Sequence, residues 1–252
     1  MNTSLVFFVS TKFAKIREVT GTATTPGWHH HLVERRNMMI RSIRWLFYFA
    51  GLVIFSYGIT IALKMQYLGV HPWDVLNVAL FEKLGLTIGS WAIIISILLI
   101  CVSLVLDKSY VKLGTFLNAI LVGAFVDLFL WIDFLPSASH TWTDYLIMII
   151  GIITMGFGGG LYNSAEIGAG PRDGFMLSIS DKLGKSVGLV RIVVETLVLL
   201  IGLVLGGPVF LFTFIFTFVQ SPVFAFTLKK FKEIINLIEN RTNRKQYSSE
   251  SA

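Results

Sequence analysis

The sequence predicts an all-α membrane protein with six transmembrane helices, arranged as two inverted repeats of three helices (3+3). Three observations lead to this fold class. The 252 residues are 54% hydrophobic and 14% charged, with a mean hydropathy of +0.73, whereas an ordinary soluble domain has about 25% charged residues. Six windows are long and apolar enough to cross a hydrocarbon layer of about 30 Å. One segment of the chain also recurs later in the sequence.

The six windows contain very few charged residues. The third holds Asp127, the fifth holds Arg191 and Glu195, and the other four hold none. A charge at the centre of a bilayer costs at least about 2.5–3.5 kcal/mol, so these three residues need an explanation. The windows cover residues 45–63, 88–106, 113–132, 145–165, 187–205 and 208–228.

Basic residues are distributed unevenly among the loops between these windows. They flank the first window, lie in the loops after the second and fourth, and follow the sixth, whereas the intervening loops receive only Lys64 and Lys83. Cytoplasmic loops of membrane proteins carry the excess of Lys and Arg. We therefore expect both termini in the cytoplasm of a plasma-membrane protein, with residues 133–143 outside. The net charge of +6 is then explained by orientation in the lipid bilayer, and no nucleic-acid partner is expected.

The recurring segment reads GVHPWDVLNVALFEKLGLTIG from Gly69 and GAGPRDGFMLSISDKLGKSVG from Gly168. Seven of the 21 aligned positions are identical without a gap, and each copy lies between the first and second span of its half. Each half contains three spans, an odd number, so the second half must enter the membrane from the opposite side. Repeat 1 covers about 45–133 and repeat 2 about 142–228. Such inverted repeats are typical of secondary transporters.

Each copy of the segment predicts a short helix that begins at Pro72 or Pro171. Proline suits the first helical turn, where its missing N–H would be unpaired in any case. Asp74 and Asp173 follow two residues later, beside the positive end of the helix dipole. A helix of about 12 residues cannot cross a bilayer. It therefore lies either at the interface or within the membrane as a re-entrant segment.

Four stretches of the chain resemble the YczE/YyaS/YitT group of bacterial membrane proteins, over roughly residues 39–228. They are LGVHPWDVLNVAL from Leu68, LTIGSW from Leu86, GTFLNAILVGAFVD from Gly114 and GAGPRD from Gly168. The chain departs from the group at His71, where a glycine is more usual, and at Ser221, where Gly-Pro is more usual. The resemblance implies a bacterial plasma-membrane protein whose activity is not defined.

The two ends of the chain lie outside this resemblance. Residues 1–38 are predicted to be a mobile basic segment or an over-extension of the start site. Their histidine run, residues 29–31, has no carboxylate or cysteine at ligand spacing, so no metal site is expected. Residues 229–252 are predicted to form a cytoplasmic amphipathic helix followed by a disordered end.

Charged and polar residues of the spans and repeats are the candidates for binding a substrate or ion. Arg191 and Glu195 stand four apart, on one helix face, where they can pair with each other or serve a site. Asp74 and Asp173 either bind a cation or proton or stabilise helix starts. Arg172 receives an anionic group or anchors the positive side. The remaining candidates are Asp127, Asn163 and Glu166.

The glycines Gly156, Gly158, Gly159 and Gly160 crowd the fourth window. They permit close helix approach, and each also weakens a helix by about 1 kcal/mol relative to alanine. They predict a helix break before Tyr162, with carbonyl groups exposed to a bound ion.

The function predicted from these features is a small secondary transporter or exporter. The alternative is a membrane scaffold that assists a partner enzyme, with the repeats serving architecture alone. No catalytic set of side chains is visible within the spans, so we expect neither an enzyme nor a cofactor, and homo-oligomerisation is left open. Convergence of Arg191, Glu195, Asn163 and Glu166 on one cavity would favour transport.

Overall fold

The structure is a computed structural model that describes residues 27–135 and 137–250, with side chains from 38 to 240 apart from residues 136 and 217. Within these residues the chain forms eight α-helices and two 3-10 turns, and no β-strand. The α-helices are α1 (Gly27–Lys64), α2 (Pro72–Leu84), α3 (Ile88–Leu106), α4 (Leu113–Ile132), α5 (Trp142–Ser164), α6 (Pro171–Leu183), α7 (Val187–Val204) and α8 (Leu211–Glu250). The 3-10 turns are Gln66–Leu68 and Lys108–Tyr110. The all-α prediction is confirmed.

Six of these helices contain a stretch long and apolar enough to span a membrane, as predicted. The stretches Ile88–Leu106 and Leu113–Ile132 coincide with the predicted windows. The first and last, Met38–Lys64 and Leu211–Asn240, extend beyond the predicted windows because their helices continue through polar residues. The chain is therefore an integral membrane protein with multiple spans.

The helical ends differ from the prediction. The chain divides into two units, 1–41 and 42–252. Residues 27–38, predicted to be mobile, belong to α1, and residues 241–250, predicted to be disordered, belong to α8. Neither stretch contains glycine or proline after Gly27, and a helix without such breakers continues past the end of its apolar face. The rest of the N-terminal segment, residues 1–26, lies outside the described residues.

The two short helices begin at the predicted prolines, Pro72 and Pro171, and contain 13 residues each. Each is closed by a glycine with positive φ, 74° at Gly85 and 61° at Gly184, a conformation that glycine adopts without strain. At 1.5 Å per residue, such a helix spans about 20 Å, which is too short to cross the membrane.

The crowded glycines belong to an unbroken helix, so the predicted break before Tyr162 is wrong. A Cβ at Gly158 would stand 2.4 Å from the backbone nitrogen of Phe55 on α1, and one at Gly160 would stand 2.6 Å from the carbonyl oxygen of Phe224 on α8. The glycines thus let α1 and α8 approach the backbone of α5 on different faces. The dispersion contacts of this close packing offset their low helix propensity.

The short helices pack across the two halves of the sequence. Helix α2 packs against α7, and α6 packs against α3. Buried Trp73, Leu99, Met176, Val190 and Val198 form one apolar cluster that joins these four helices. Each short helix is therefore held by the span that follows the other short helix.

Candidate functional site

A cavity of about 320 Å³ lies within the helical bundle, and each of the eight described helices contributes to its wall. Its lining includes ten residues with polar or ionisable side chains besides Trp73. They are His71, Ser96, Asn118, Tyr162, Arg172, Asp173, Arg191, Glu195, Gln220 and Ser221. Apolar walls with a few convergent polar groups are typical of small-molecule sites.

The first turns of α2 and α6 meet at this cavity. The guanidinium carbon of Arg172 lies 5.2 Å from the ring centroid of Trp73, within the range of a cation–π contact. A guanidinium nitrogen of Arg172 also lies 3.5 Å from the carboxylate of Asp74, which is 4% exposed. The predicted candidates Asp74 and Arg172, from different copies of the repeat, are therefore in contact.

Arg191 joins α7 to the start of α6. Its guanidinium donates a hydrogen bond of 2.8 Å to the carboxylate of Asp173 and lies 3.9 Å from that of Glu195. The predicted pair of Arg191 with Glu195 is present, but the shorter contact is with Asp173. The cavity lining thus holds two guanidinium groups and two carboxylates, all of them predicted candidates.

Three hydrogen-bond donors of lining residues have no partner among the described residues. They are Nε1 of Trp73, Nδ2 of Asn118 and Nε of Arg191. Trp73 is 3% exposed and Asn118 is 5% exposed, and buried donors of folded proteins are nearly always paired. The cavity is therefore lined by residues whose buried donors have no hydrogen-bond partner.

His71 immediately precedes α2 and completes this wall of the cavity. Its Nδ1 accepts a hydrogen bond of 3.4 Å from the backbone N–H of Trp73, at the helix start.

The cavity lining contains neither Asn163 nor Glu166, so these two candidates do not converge there with Arg191. The amide of Asn163 donates to the carbonyl oxygen of Gly159, one turn earlier on α5. Glu166 follows the end of α5 with a φ of 59°, and this turn directs its carboxylate towards Lys232 at 2.8 Å and Arg44 at 3.3 Å. Glu166 belongs to an ion-pair network at one end of the bundle.

Asp127 also lies away from the cavity. Its carboxylate accepts a hydrogen bond of 2.8 Å from the backbone N–H of Gly89 and another from the hydroxyl of Thr87. These groups belong to the N-terminus of α3, whose first N–H groups have no partner within the helix. Asp127 therefore ties α4 to the start of α3.

Several lining residues escaped the sequence analysis, although the repeat could have indicated them. Ala92 and Ser96 are equivalent to Arg191 and Glu195, and His71 is equivalent to Gly170, at the same offset as Gly69 and Gly168. Both members of all three pairs line the cavity. For Asn118 and Gln220, no spacing signal in the sequence identifies the orientation of the side chain.

Residues 42–229 match the model of a family of unknown function, DUF6198. The chain belongs to this family. Its relatives include the uncharacterized membrane protein YczE of Bacillus subtilis, which is 35% identical over 195 residues, covering 77% of this chain and 89% of YczE. The uncharacterized protein YyaS of the same organism is 31% identical over 169 residues, covering 66% of this chain and 83% of YyaS.

A third family relative, an uncharacterized protein of Haemophilus influenzae, is 36% identical over 152 residues, covering 59% of this chain and 67% of its own length. The YczE and YyaS matches confirm the resemblance drawn from the sequence. No solved structure matches the chain.

Proposed function

We propose that this family member is a small secondary transporter or exporter of the bacterial plasma membrane, built as a 3+3 inverted repeat. The cavity carries the proposal, because its wall includes Arg172 and Asp173 of α6 and Arg191 and Glu195 of α7. Charges within a membrane are costly and mark solute or ion pathways. A scaffold built from the same repeats would have an apolar, filled centre.

The inverted repeat is supported by the way in which equivalent elements are placed. The short helices start at equivalent prolines and have equal lengths, and α3 and α7 also start at equivalent residues, Ile88 and Val187. Helix α2 packs on α7 while α6 packs on α3, a reciprocal exchange that a two-fold axis between the halves produces. Discontinuous helices that start near the membrane centre are the usual substrate sites of inverted-repeat transporters.

Ion pairs at the two ends of the bundle provide contacts that alternating access could break in turn. At one end, Arg44 lies 2.9 Å from Glu239 and 3.3 Å from Glu166. At the other end, Lys64 pairs with Asp133. The excess of basic residues near Arg44 supports a cytoplasmic location for that end and for both termini.

Solute flux into proteoliposomes tests the proposal. The purified full chain is reconstituted and offered radiolabelled pools of amino acids, carboxylic acids, amines, sugars, nucleosides and inorganic ions. At least one pool should enter, and Glu195→Gln should reduce its initial rate at least tenfold because a cavity charge is lost. The control Glu233→Gln changes a carboxylate of similar chemistry outside the cavity and should leave the rate unchanged.

Entry of none of these pools, with protein that remains folded, would remove the case for transport and favour the scaffold. If Glu233→Gln loses as much flux as Glu195→Gln, the loss is not specific to the cavity, and the cavity is not the transport pathway.

A further inference from the structure

We propose that the cavity binds a small zwitterion of the amino-acid type, with its carboxylate at the first turns of α2 and α6 and its ammonium group at Glu195. This proposal names a substrate class for the transporter and therefore rests on the proposed function. One end of the cavity would bind the negative group of the solute, and the other end would bind its positive group.

The carboxylate end is defined by two helix N-termini and the donors around them. The dipoles of two 13-residue helices place partial positive charge where α2 and α6 meet. Gly170, the residue before α6, has no side chain to cap the first N–H groups of that helix, so these groups are available to an anion. Arg172 adds a guanidinium group at the same place, 3.5 Å from the carboxylate of Asp74.

Unpaired donors provide the second, independent observation at this end. Nε1 of Trp73 and Nδ2 of Asn118 belong to side chains that are more than nine-tenths buried, line the cavity and lack a partner among the described residues. An unsatisfied buried donor destabilises the fold. A metal ion or an amine supplies no acceptor for these groups, whereas a carboxylate supplies two oxygens.

The ammonium end is defined by Glu195. Its side chain is only 16% exposed, and its nearest basic group, Nε of Arg191, stands 3.9 Å away, beyond hydrogen-bond distance. The shorter bond of Arg191 goes to Asp173, which leaves the Glu195 carboxylate with acceptor capacity facing the cavity. An ammonium group supplies the donors that this carboxylate lacks.

Charge balance favours a solute that carries both groups. The lining holds two guanidinium groups and two carboxylates, and the buried carboxylate of Asp74 lies 3.5 Å from Arg172, so a lone anion would meet excess negative charge in a site of low dielectric. A zwitterion adds no net charge. The volume of about 320 Å³ lies at the small end of ligand pockets, about 300–1,000 Å³, which suits a single small solute.

Thermal unfolding of the purified full chain in detergent tests this inference. Three matched pools serve as probes: the twenty protein amino acids, the amines left when they are decarboxylated, and the carboxylic acids left when they are deaminated. The amino-acid pool should raise the Tm by at least ~2 °C, and the other two pools should raise it less than half as much. Asn118→Leu and Glu195→Gln should abolish the rise, and the control Glu233→Gln should keep it.

A Tm rise with the amines or the acids equal to that with the amino acids would overturn the zwitterion, as would no rise with any pool. If a pool other than the amino acids then enters proteoliposomes, the protein is still a transporter, but its substrate is not an amino acid. Binding of amino acids without flux of any pool would support the binding site and contradict transport. If Asn118→Leu fails to fold, Glu195→Gln alone decides, because its side chain keeps the same shape.

Discussion

Arg172 and Trp73 occupy equivalent positions in the two copies of the repeated segment, and the guanidinium carbon of one lies 5.2 Å from the ring centroid of the other. Two residues related by a two-fold axis can contact each other only if both lie close to that axis. Under the proposed inverted repeat, the first turns of α2 and α6 therefore lie at its centre, where they form one wall of the cavity.

The charges of the cavity come from the second repeat alone. Arg172, Arg191 and Glu195 have Trp73, Ala92 and Ser96 as their equivalents in the first repeat, and all six line the cavity. The backbone positions thus follow the repeat, whereas the side chains at these three pairs of positions differ in charge. A binding site for an asymmetric solute requires such a departure, whereas architecture alone does not.

Gly158→Ala should lower the free energy of unfolding by about 1–3 kcal/mol, the usual cost of overpacking. The added methyl group would stand 2.4 Å from the backbone nitrogen of Phe55, which cannot move without shifting α1. The matched control is Gly188→Ala on α7, whose Cβ would meet no atom within 4 Å; this change should be neutral or stabilising by up to about 1 kcal/mol. Unfolding of both variants by denaturant in detergent measures the difference, and equal stabilities would contradict the packing described for α1 and α5.

Asp127→Ala should lower the stability by about 1 kcal/mol, the typical cost of losing a helix cap. The change removes the acceptor for the backbone N–H of Gly89 and for the hydroxyl of Thr87. Solute flux per folded molecule should remain within twofold of the parent chain, because Asp127 lies away from the cavity. Denaturant unfolding and proteoliposome flux check the two parts. Loss of flux at unchanged stability would show that Asp127 takes part in transport.

Glu166 should contribute a pH-dependent term to stability. The hydrogen bond from Lys232, together with that from Arg44, lowers the pKa of Glu166 below its ordinary value of 4.5. A carboxyl group with a lower pKa in the folded state stabilises the fold above its unfolded pKa and loses this effect as the pH falls through its folded pKa. The parent chain should therefore exceed Glu166→Gln in stability above pH 4.5.

This difference should be small, because the carboxylate is half exposed, and it should shrink as the pH falls below 4.5. Denaturant titrations between pH 3 and pH 7 measure it. Glu233→Gln, whose pair with Lys230 is a 3.5 Å surface contact, is the control. A Glu166→Gln difference that grows on acidification would show that the pairing with Lys232 is absent.

Ser137 and Lys185 should face opposite sides of the membrane. Ser137 lies between α4 and α5, and Lys185 lies between α6 and α7; both are exposed. Single cysteines at these positions, with Cys101→Ala removing the natural thiol, are labelled with a membrane-impermeant maleimide in intact cells. Ser137→Cys should react and Lys185→Cys should react only after the membrane is opened. Reaction of both in intact cells would contradict the orientation and the inverted repeat.

The spans and short helices were predictable because local sequence determines them. A window such as 113–132 needs only length and apolarity to be identified as a span, and Pro72 with Gly85 marks both ends of a short helix. The helix ends were predicted less well. Residues 241–250 are polar, but this stretch contains no glycine or proline, and polarity alone does not end a helix.

The candidate site was predictable only in part, because the orientation of a side chain depends on helix packing. Arg191 and Glu195 were identifiable from the cost of placing charge in a membrane. Asn163 and Glu166 were misplaced: Asn163 turns back to its own helix, and the positive φ of Glu166 directs it to Arg44. The inward orientation of Asn118 follows from the contacts of α4, which no spacing pattern records.

Labelling of the cavity from each side of the membrane tests the transporter most directly. Ala92 lines the cavity in the uncharged repeat, and Ala92→Cys in the Cys101→Ala background introduces one small thiol there. A membrane-impermeant methanethiosulfonate is applied to right-side-out and to inverted vesicles, with Ser137→Cys as the control for sidedness. Alternating access predicts that Ala92→Cys reacts from both sides while Ser137→Cys reacts from one. Reaction of Ala92→Cys from only one side, or from neither, would contradict the account.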